Sequence, residues 1–208
     1  MISPGIDQIS AADIVFVLDV TGSMGDEIES VRTNLNSFMN QLQGEGIDYR
    51  VGFVVFGDIV HVYNAYQFYT DYAQIMDVIN GIQLGEHGIG SGGDGPENQV
   101  EAMAQAAQMQ WRPGASRNMI LLTDATSHES DYVTPWTMGD LLAEYLIPNS
   151  IMVFPIFRVN DPEQMDQYLP IAEQTNPQGA YYNIMDNFNA IISQIGEFIT
   201  SLYTVHFR

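Results

Sequence analysis

Short apolar runs alternate with helix-periodic segments along almost the whole chain, and that alternation limits the fold more than any other feature. Ile14-Val-Phe-Val-Leu18, Tyr49–Phe56, Asn118–Leu122 and Ile151–Phe157 have the length and apolar content of buried strands. Between the first two, Ile28, Val31, Leu35, Phe38, Met39 and Leu42 recur at helical spacing, and Gly44 and Gly46 stop the helix. The same periodicity predicts helices over Asp71–Ile79, from Pro96 through Val100, Met103, Ala104 and Ala107, around Leu141–Leu146, over Pro162–Thr175, and over Asp186–Leu202 with Asp186 as its cap. Ile59–Phe68 reads as an edge strand running back, Ala180–Asn183 as a short strand, and Leu202–Arg208 as strand-like. Pro155 places its strand near a sheet edge. Strands alternating with helices predict an α/β fold, doubly wound: a mostly parallel sheet, one antiparallel edge strand, and helices on both faces. Right-handed crossovers then gather the strand-to-helix loops at one edge.

That edge is where open α/β sheets bind ligands. Asp19-Val-Thr21-Gly-Ser23-Met24 leaves the first strand there, carrying one carboxylate and two hydroxyls. Asp58 and Asp124 also end strands. The glycine-rich loop Gly85–Gly95 allows Asp94 and Glu97 to approach the same edge. Carboxylates with neutral oxygens suit a hard divalent cation that keeps some water in its shell. His87 and His128 flank the edge, but an oxygen-rich site selects hard ions and gives the imidazoles a supporting or exposed role. His61 and His206 fall in strand-like segments and read as structural.

Composition narrows the function classes. The net charge is −20, with Asp and Glu numbering 26 against six arginines and no lysine, which disfavours nucleic acid and direct binding to anionic membranes. Cysteine is absent, so disulfides and thiolate metal sites are excluded. At 208 residues, 1–208 is read as a single domain, its strand-like end suggesting a cut from a longer protein. Gly88-Ile-Gly-Ser-Gly-Gly93 fits a dinucleotide fingerprint formally, but a helix precedes it instead of the first strand of a βαβ unit.

The motifs carry a resemblance. Asp19-Val-Thr-Gly-Ser-Met24 resembles the metal-site signature of von Willebrand factor A domains, whose fold is the doubly wound sheet expected here. Arg50–Asp58, Gly92-Gly-Asp-Gly-Pro-Glu97 and Leu121–His128 look most like the A-like domain inserted in integrin β subunits. The resemblance implies a metal-ion-dependent adhesion site with Asp19, Thr21, Ser23, Glu97 and Asp124 as ligands to Mg²⁺ or Mn²⁺, Asp124 often through water. It also implies adjacent Ca²⁺ sites, one at the Ser23 carbonyl, Asp26 and Glu27, the other at Asp58, Asp94, Glu97 and the Pro96 carbonyl. Two positions depart from the pattern: Glu27 replaces a more usual aspartate, and Gly92 replaces an asparagine ligand.

Charge sets a condition on this reading. Asp19, Glu97 and Asp124 together exceed the charge of a divalent ion, so an acidic partner is repelled unless water-mediated ligation or a neighbouring cation offsets the surplus. The expected function is a non-enzymatic module that captures an acidic side chain of a protein partner, within a larger extracellular or cell-surface protein; the cytosol is the alternative setting. Competing readings are a metal-dependent hydrolase of phosphoryl groups and a structural, metal-bound assembly domain. The absence of lysine, and arginines that fall mostly in helices, in strands or at chain ends, weigh against phosphoryl chemistry. The bland alternative for the first motif is a helix cap by Thr21 or Ser23. Asp26 and Glu27 equally suit a first helical turn. The aromatic group Tyr63, Tyr66, Phe68, Tyr69 and Tyr72 reads as edge packing.

Overall fold

The computed structural model describes residues 10–90, 95–130 and 134–204. Its sheet has the order β3-β2-β1-β4-β5-β6. The strands are β1 (Ala11–Asp19), β2 (Asp48–Phe56), β3 (Val60–Val62), β4 (Ser116–Leu122), β5 (Ile151–Phe157) and β6 (Tyr182–Asn183). Only the β2–β3 pairing is antiparallel among them. Helices α1 (Gly25–Gly44), α2 (Tyr72–Gly81) and α6 (Phe188–Thr204) bury one face of the sheet. Helix α3 (Gln99–Ala107), the short α4 (Met138–Asp140) with its π-helical continuation Leu141–Leu146, and α5 (Pro162–Thr175) bury the other. This is the doubly wound fold expected from the sequence.

The strand period of two sorts the core. Ile14, Phe16 and Leu18 of β1 join the α1/α2/α6 side, while Val15 and Val17 join the α3/α5 side. Phe16 stacks on Phe53 at 5.9 Å and meets Phe38 edge-on at 6.2 Å, locking α1 to the centre of the sheet. Helix α1 ends where Gly46 adopts a left-handed φ of 73° and donates to the Gln43 carbonyl. Among the described residues no helix is long and apolar enough to cross a membrane.

The structure departs from the sequence reading at several element ends, each for a local reason. The returning edge strand is only Val60–Val62; Asn64, Ala65 and Tyr66 then take left-handed φ values of 53°, 47° and 66° and form a turn. The aromatic segment rejoins the sheet through the Val51–Tyr69 bridge. Phe68 packs edge-on against Trp111 at 5.0 Å, although Tyr66 and Tyr72 are exposed. Pro96 does not open α3: the Glu97 and Asn98 amides are committed to Thr126 and Gly57 carbonyls, so the helix starts at Gln99. Helix α6 is capped by the Asn187 side chain, which accepts from Ala190 N at 3.1 Å, rather than by Asp186. Leu202–Thr204 is helical, because the Tyr203 hydroxyl reaches the start of β1 and β4, donating to Ala11 O and accepting from Ser116 N. Residues 205–208, including His206, lie outside the described residues.

Candidate metal centre

Asp19 ends β1 fully buried. Its Oδ1 accepts from Thr21 N (3.0 Å) and Thr21 Oγ1 (2.7 Å), and its Oδ2 accepts from Thr123 Oγ1 (2.8 Å). Burial pushes its carboxyl up to about 6; the hydrogen bonds from Thr21 and Thr123 counteract that, and the nearby charge of Asp124 adds to it. Ser23 Oγ donates to Asp124 Oδ1 at 2.9 Å. The helix-cap alternative therefore does not describe this loop. Neither Thr21 nor Met24 makes a side-chain cap at the helix starts they precede, and the Thr21 and Ser23 hydroxyls donate to carboxylates instead.

Three loops close around these groups. Val20 N donates to Phe56 O and Gly85 N to Val20 O, tying the β1 loop to the end of β2 and to the loop after α2. Glu97 forms a parallel bridge with Ser127: its amide donates to Thr126 O and its carbonyl accepts from His128 N. Asn98 N donates to Gly57 O, so the segment 97–98 is held between the loops that leave β2 and β4. Glu97 is buried at this edge. Gln99 Nε2 donates to Thr123 Oγ1 at 2.9 Å, extending a buried chain from Gln99 through Thr123 to Asp19.

The remaining candidates sit less centrally. Asp26 is exposed in the first turn of α1, and Glu27 beside it is half-buried. Glu27 Oε2 is shielded and finds no hydrogen-bond partner among the described residues. Asp58 is exposed, with its carboxylate over Gly90. A Cβ on Gly90 would lie 2.4 Å from Asp58 Oδ2, and the φ of +88° also requires glycine there. Pro96 lies two residues before the Asn98 cap of α3. Asp94 falls outside the described residues. His87 is drawn away by a stack on His61, with ring centroids 3.8 Å apart, and by Tyr63. His128 is buried.

The sequence alone does not mark Arg158 as part of the site. It follows β5, and its guanidinium donates to Asp124 Oδ2 at 2.6 Å. Buried Gln164 knits this corner together: its Nε2 donates to Asp124 O (2.9 Å) and its Oε1 accepts from Arg158 N (3.0 Å). Tyr168 OH donates to Ala125 O at 2.7 Å from below. The sequence did hold one signal for Arg158, its place at a strand end on the ligand edge. Thr123 stood next to Asp124, but nothing in the sequence said that its hydroxyl would turn inward to Asp19. Beside this corner Arg158, Asn160, Asp161, Glu163, Asn183 and Met185 line a cleft of about 770 Å³.

The donor set fits a hard cation. It combines a buried carboxylate served only by neutral donors, a second carboxylate bonded to a serine hydroxyl, and the hydroxyls of Thr21 and Ser23. Among the described residues, no three acidic, histidine or cysteine side chains gather closely enough to hold an ion by themselves, so hydroxyls and water must complete any shell.

Residues 13–198 match the model of the von Willebrand factor type A domain family. The chain belongs to that family. Domains of the family are generally protein-interaction modules and are often metal-dependent. The A domain is 28% identical over 125 residues to the alpha-protein kinase vwkA of Dictyostelium discoideum, covering 58% of this chain but only 19% of that protein. Its fold is similar to that of an aerotolerance-related membrane protein of Bacteroides fragilis, with a TM-score of 0.63 at 16% identity, over 91% of this chain and 99% of that one.

Proposed function

We propose that this A domain is a non-enzymatic, metal-dependent module that captures an acidic side chain of a protein partner. Asp19, Thr21, Ser23, Glu97 and Asp124 would hold Mg²⁺ or Mn²⁺. The observation that carries the reading is Asp19: a fully buried carboxylate at the ligand edge whose hydrogen-bond donors among the described residues are two hydroxyls and an amide, none of them charged. Burying an uncompensated carboxylate is costly, and a bound cation relieves that cost. When bound, the ion supplies a Lewis-acidic position open to an incoming carboxylate oxygen. Thr21 and Thr123 orient Asp19, while the bridge between Glu97 and Ser127 holds Glu97 at the same edge. A further cation beside Asp26 and Glu27 belongs to the same reading, supported by the shielded Glu27 oxygen. The proposed setting is extracellular or at a cell surface, within a larger protein.

The test is thermal melting with Mg²⁺, Mn²⁺ or Ca²⁺ against chelator, followed by partner capture with and without chelator. Each cation is expected to raise the melting temperature, and Asp19→Ala to remove the rise. No shift at millimolar cation would sink the metal reading.

One observation favours a second reading. Arg158 brings a guanidinium to Asp124, so the lack of a cation near the site no longer weighs against phosphoryl hydrolysis. Metal-dependent turnover of p-nitrophenyl phosphate, abolished by Asp19→Ala, would replace the binding reading with that one.

A further inference from the structure

Asp124 divides its two oxygens between two neighbours. Oδ1 accepts from Ser23 Oγ, and Oδ2 accepts from Arg158. The guanidinium therefore occupies the oxygen that Ser23 does not use. Its backbone is fixed by Gln164, which also holds the Asp124 carbonyl, so strand β5 delivers a permanent positive charge to this corner. The Arg158 side chain is nevertheless 50% exposed and lines the cleft beside the site. Among the described residues the guanidinium's one hydrogen bond is to Asp124, and a planar guanidinium carries five donors in a fork suited to carboxylates.

The pair answers the charge condition set by the sequence. Asp19, Glu97 and Asp124 exceed a divalent ion by one negative charge, and Arg158 supplies one positive charge. No second metal ion is needed for a negative ligand to approach. Arg158 also differs from the other arginines with described side-chain partners. Arg50 and Arg112 are spent on Asp13 at the opposite edge, Arg117 bonds the Asn149 carbonyl, and Arg32 bonds Glu29 and the carbonyls of Ile79 and Ile82.

We propose that Arg158 is a second anchor for the acidic partner: its guanidinium neutralises Asp124 and presents its outward N–H groups to the carboxylate that the metal captures. This rests on the metal-dependent reading above. It adds a specificity element, because a carboxylate can bridge ion and guanidinium and pairs with both charges, whereas a neutral oxygen ligand gains less from Arg158. Residues flanking the partner's acidic side chain would enter the cleft between Asn160, Asn183 and the 72% exposed Met185.

The experiment separates the ion from the anion. Mn²⁺ binding is followed by electron paramagnetic resonance, and acetate is then titrated onto the Mn²⁺-loaded protein while water-proton relaxation reports displacement of bound water. The variants are Arg158→Gln, Arg158→Lys and Arg117→Gln, the last removing the same charge from the opposite edge. Arg158→Gln is expected to bind Mn²⁺ at least as tightly as the wild type, since a positive charge is gone, but to bind acetate about tenfold more weakly, the size of one charge-assisted hydrogen bond. Arg158→Lys should recover part of that loss, and Arg117→Gln should match the wild type. Acetate affinity of Arg158→Gln within about twofold of wild type, or loss of Mn²⁺ by that variant, would overturn the anchor. If the wild type itself takes no Mn²⁺, the metal reading fails before acetate is added, so the two failures are told apart. An amidated peptide with one internal glutamate should compete with acetate. Competition only by a peptide whose sole carboxylate is its C-terminus would overturn the side-chain assignment.

Discussion

Strand β1 carries two fully buried aspartates, and the chain treats them in opposite ways. Asp13 and Asp19 share strand parity, roughly 20 Å apart at a rise of ~3.3 Å per residue. At the amino edge, Asp13 receives both Arg50 and Arg112. Oδ1 accepts from Arg50 Nε (2.9 Å) and Arg112 Nε (2.8 Å), and Oδ2 accepts from Arg50 Nη2 (2.6 Å) and Arg112 N (2.7 Å). That charge is satisfied within the fold and has nothing left to offer a ligand. At the carboxyl edge, Asp19 receives only neutral donors, and its carboxyl is pushed up to about 6. Arg158, at this same edge, pairs with Asp124 instead. A buried acid closed by arginines is architecture; a buried acid served by hydroxyls is a place for an external cation.

Removing the closed acid should cost most. Asp13→Ala leaves two guanidiniums without their shared partner and is expected to destabilise by about 3–5 kcal/mol in urea unfolding, as for a broken buried ion pair. A cost below about 1 kcal/mol would remove the contrast.

The open acid should reveal itself through pH. Burial pushes its folded carboxyl up to about 6, above the ordinary aspartate value of 3.8. Between those values the folded chain holds a proton that the unfolded chain has released, so stability falls as pH rises. In chelator, the stability difference between wild type and Asp19→Asn should fall by roughly 2 kcal/mol from about pH 4 to pH 7. Saturating Mg²⁺ should abolish the fall, because the ion favours the charged carboxylate. A flat difference in chelator would show that Asp19 carries no unmet charge.

Cation binding gives the next effect. At about one hundred times its dissociation constant, a single ion should stabilise the wild type by about 2.7 kcal/mol. Asp13→Asn should retain this increment if it folds, and Asp19→Ala should lose it. A smaller effect is expected at Thr123→Val, which removes the donor to Asp19 and the acceptor for Gln99: about 1–3 kcal/mol without metal, with weaker cation binding.

The contrast also shows what a sequence of this kind discloses. The apolar runs and the 3.6-residue spacing were enough to place β5, α1 and α5, because strand and helix periods are local properties. Asp19, Thr21, Ser23 and Asp124 were legible because a strand end fixes which edge its next residues reach. Asp13 is not legible in the sequence, since its meaning depends on the sheet register that sets it opposite Arg50 and on Arg112 arriving 99 residues later. Arg158 was hidden for the same reason: its pairing with Asp124 spans 34 residues and a crossover. The false start of α3 at Pro96 and the cap assigned to Asp186 came from local propensity. Long-range backbone bonds at Glu97 and Asn98 overrode it in the first case, and the Asn187 side chain in the second.

The most direct measurement is equilibrium binding of Mn²⁺, followed by electron paramagnetic resonance, to the wild type, Asp19→Asn and Asp13→Asn, each first shown to be folded by circular dichroism. The expected result is a saturable site in the wild type and in Asp13→Asn, with its affinity lost in Asp19→Asn. Equal binding by Asp19→Asn, or no binding by the wild type, would contradict the assignment of the carboxyl edge as the cation site.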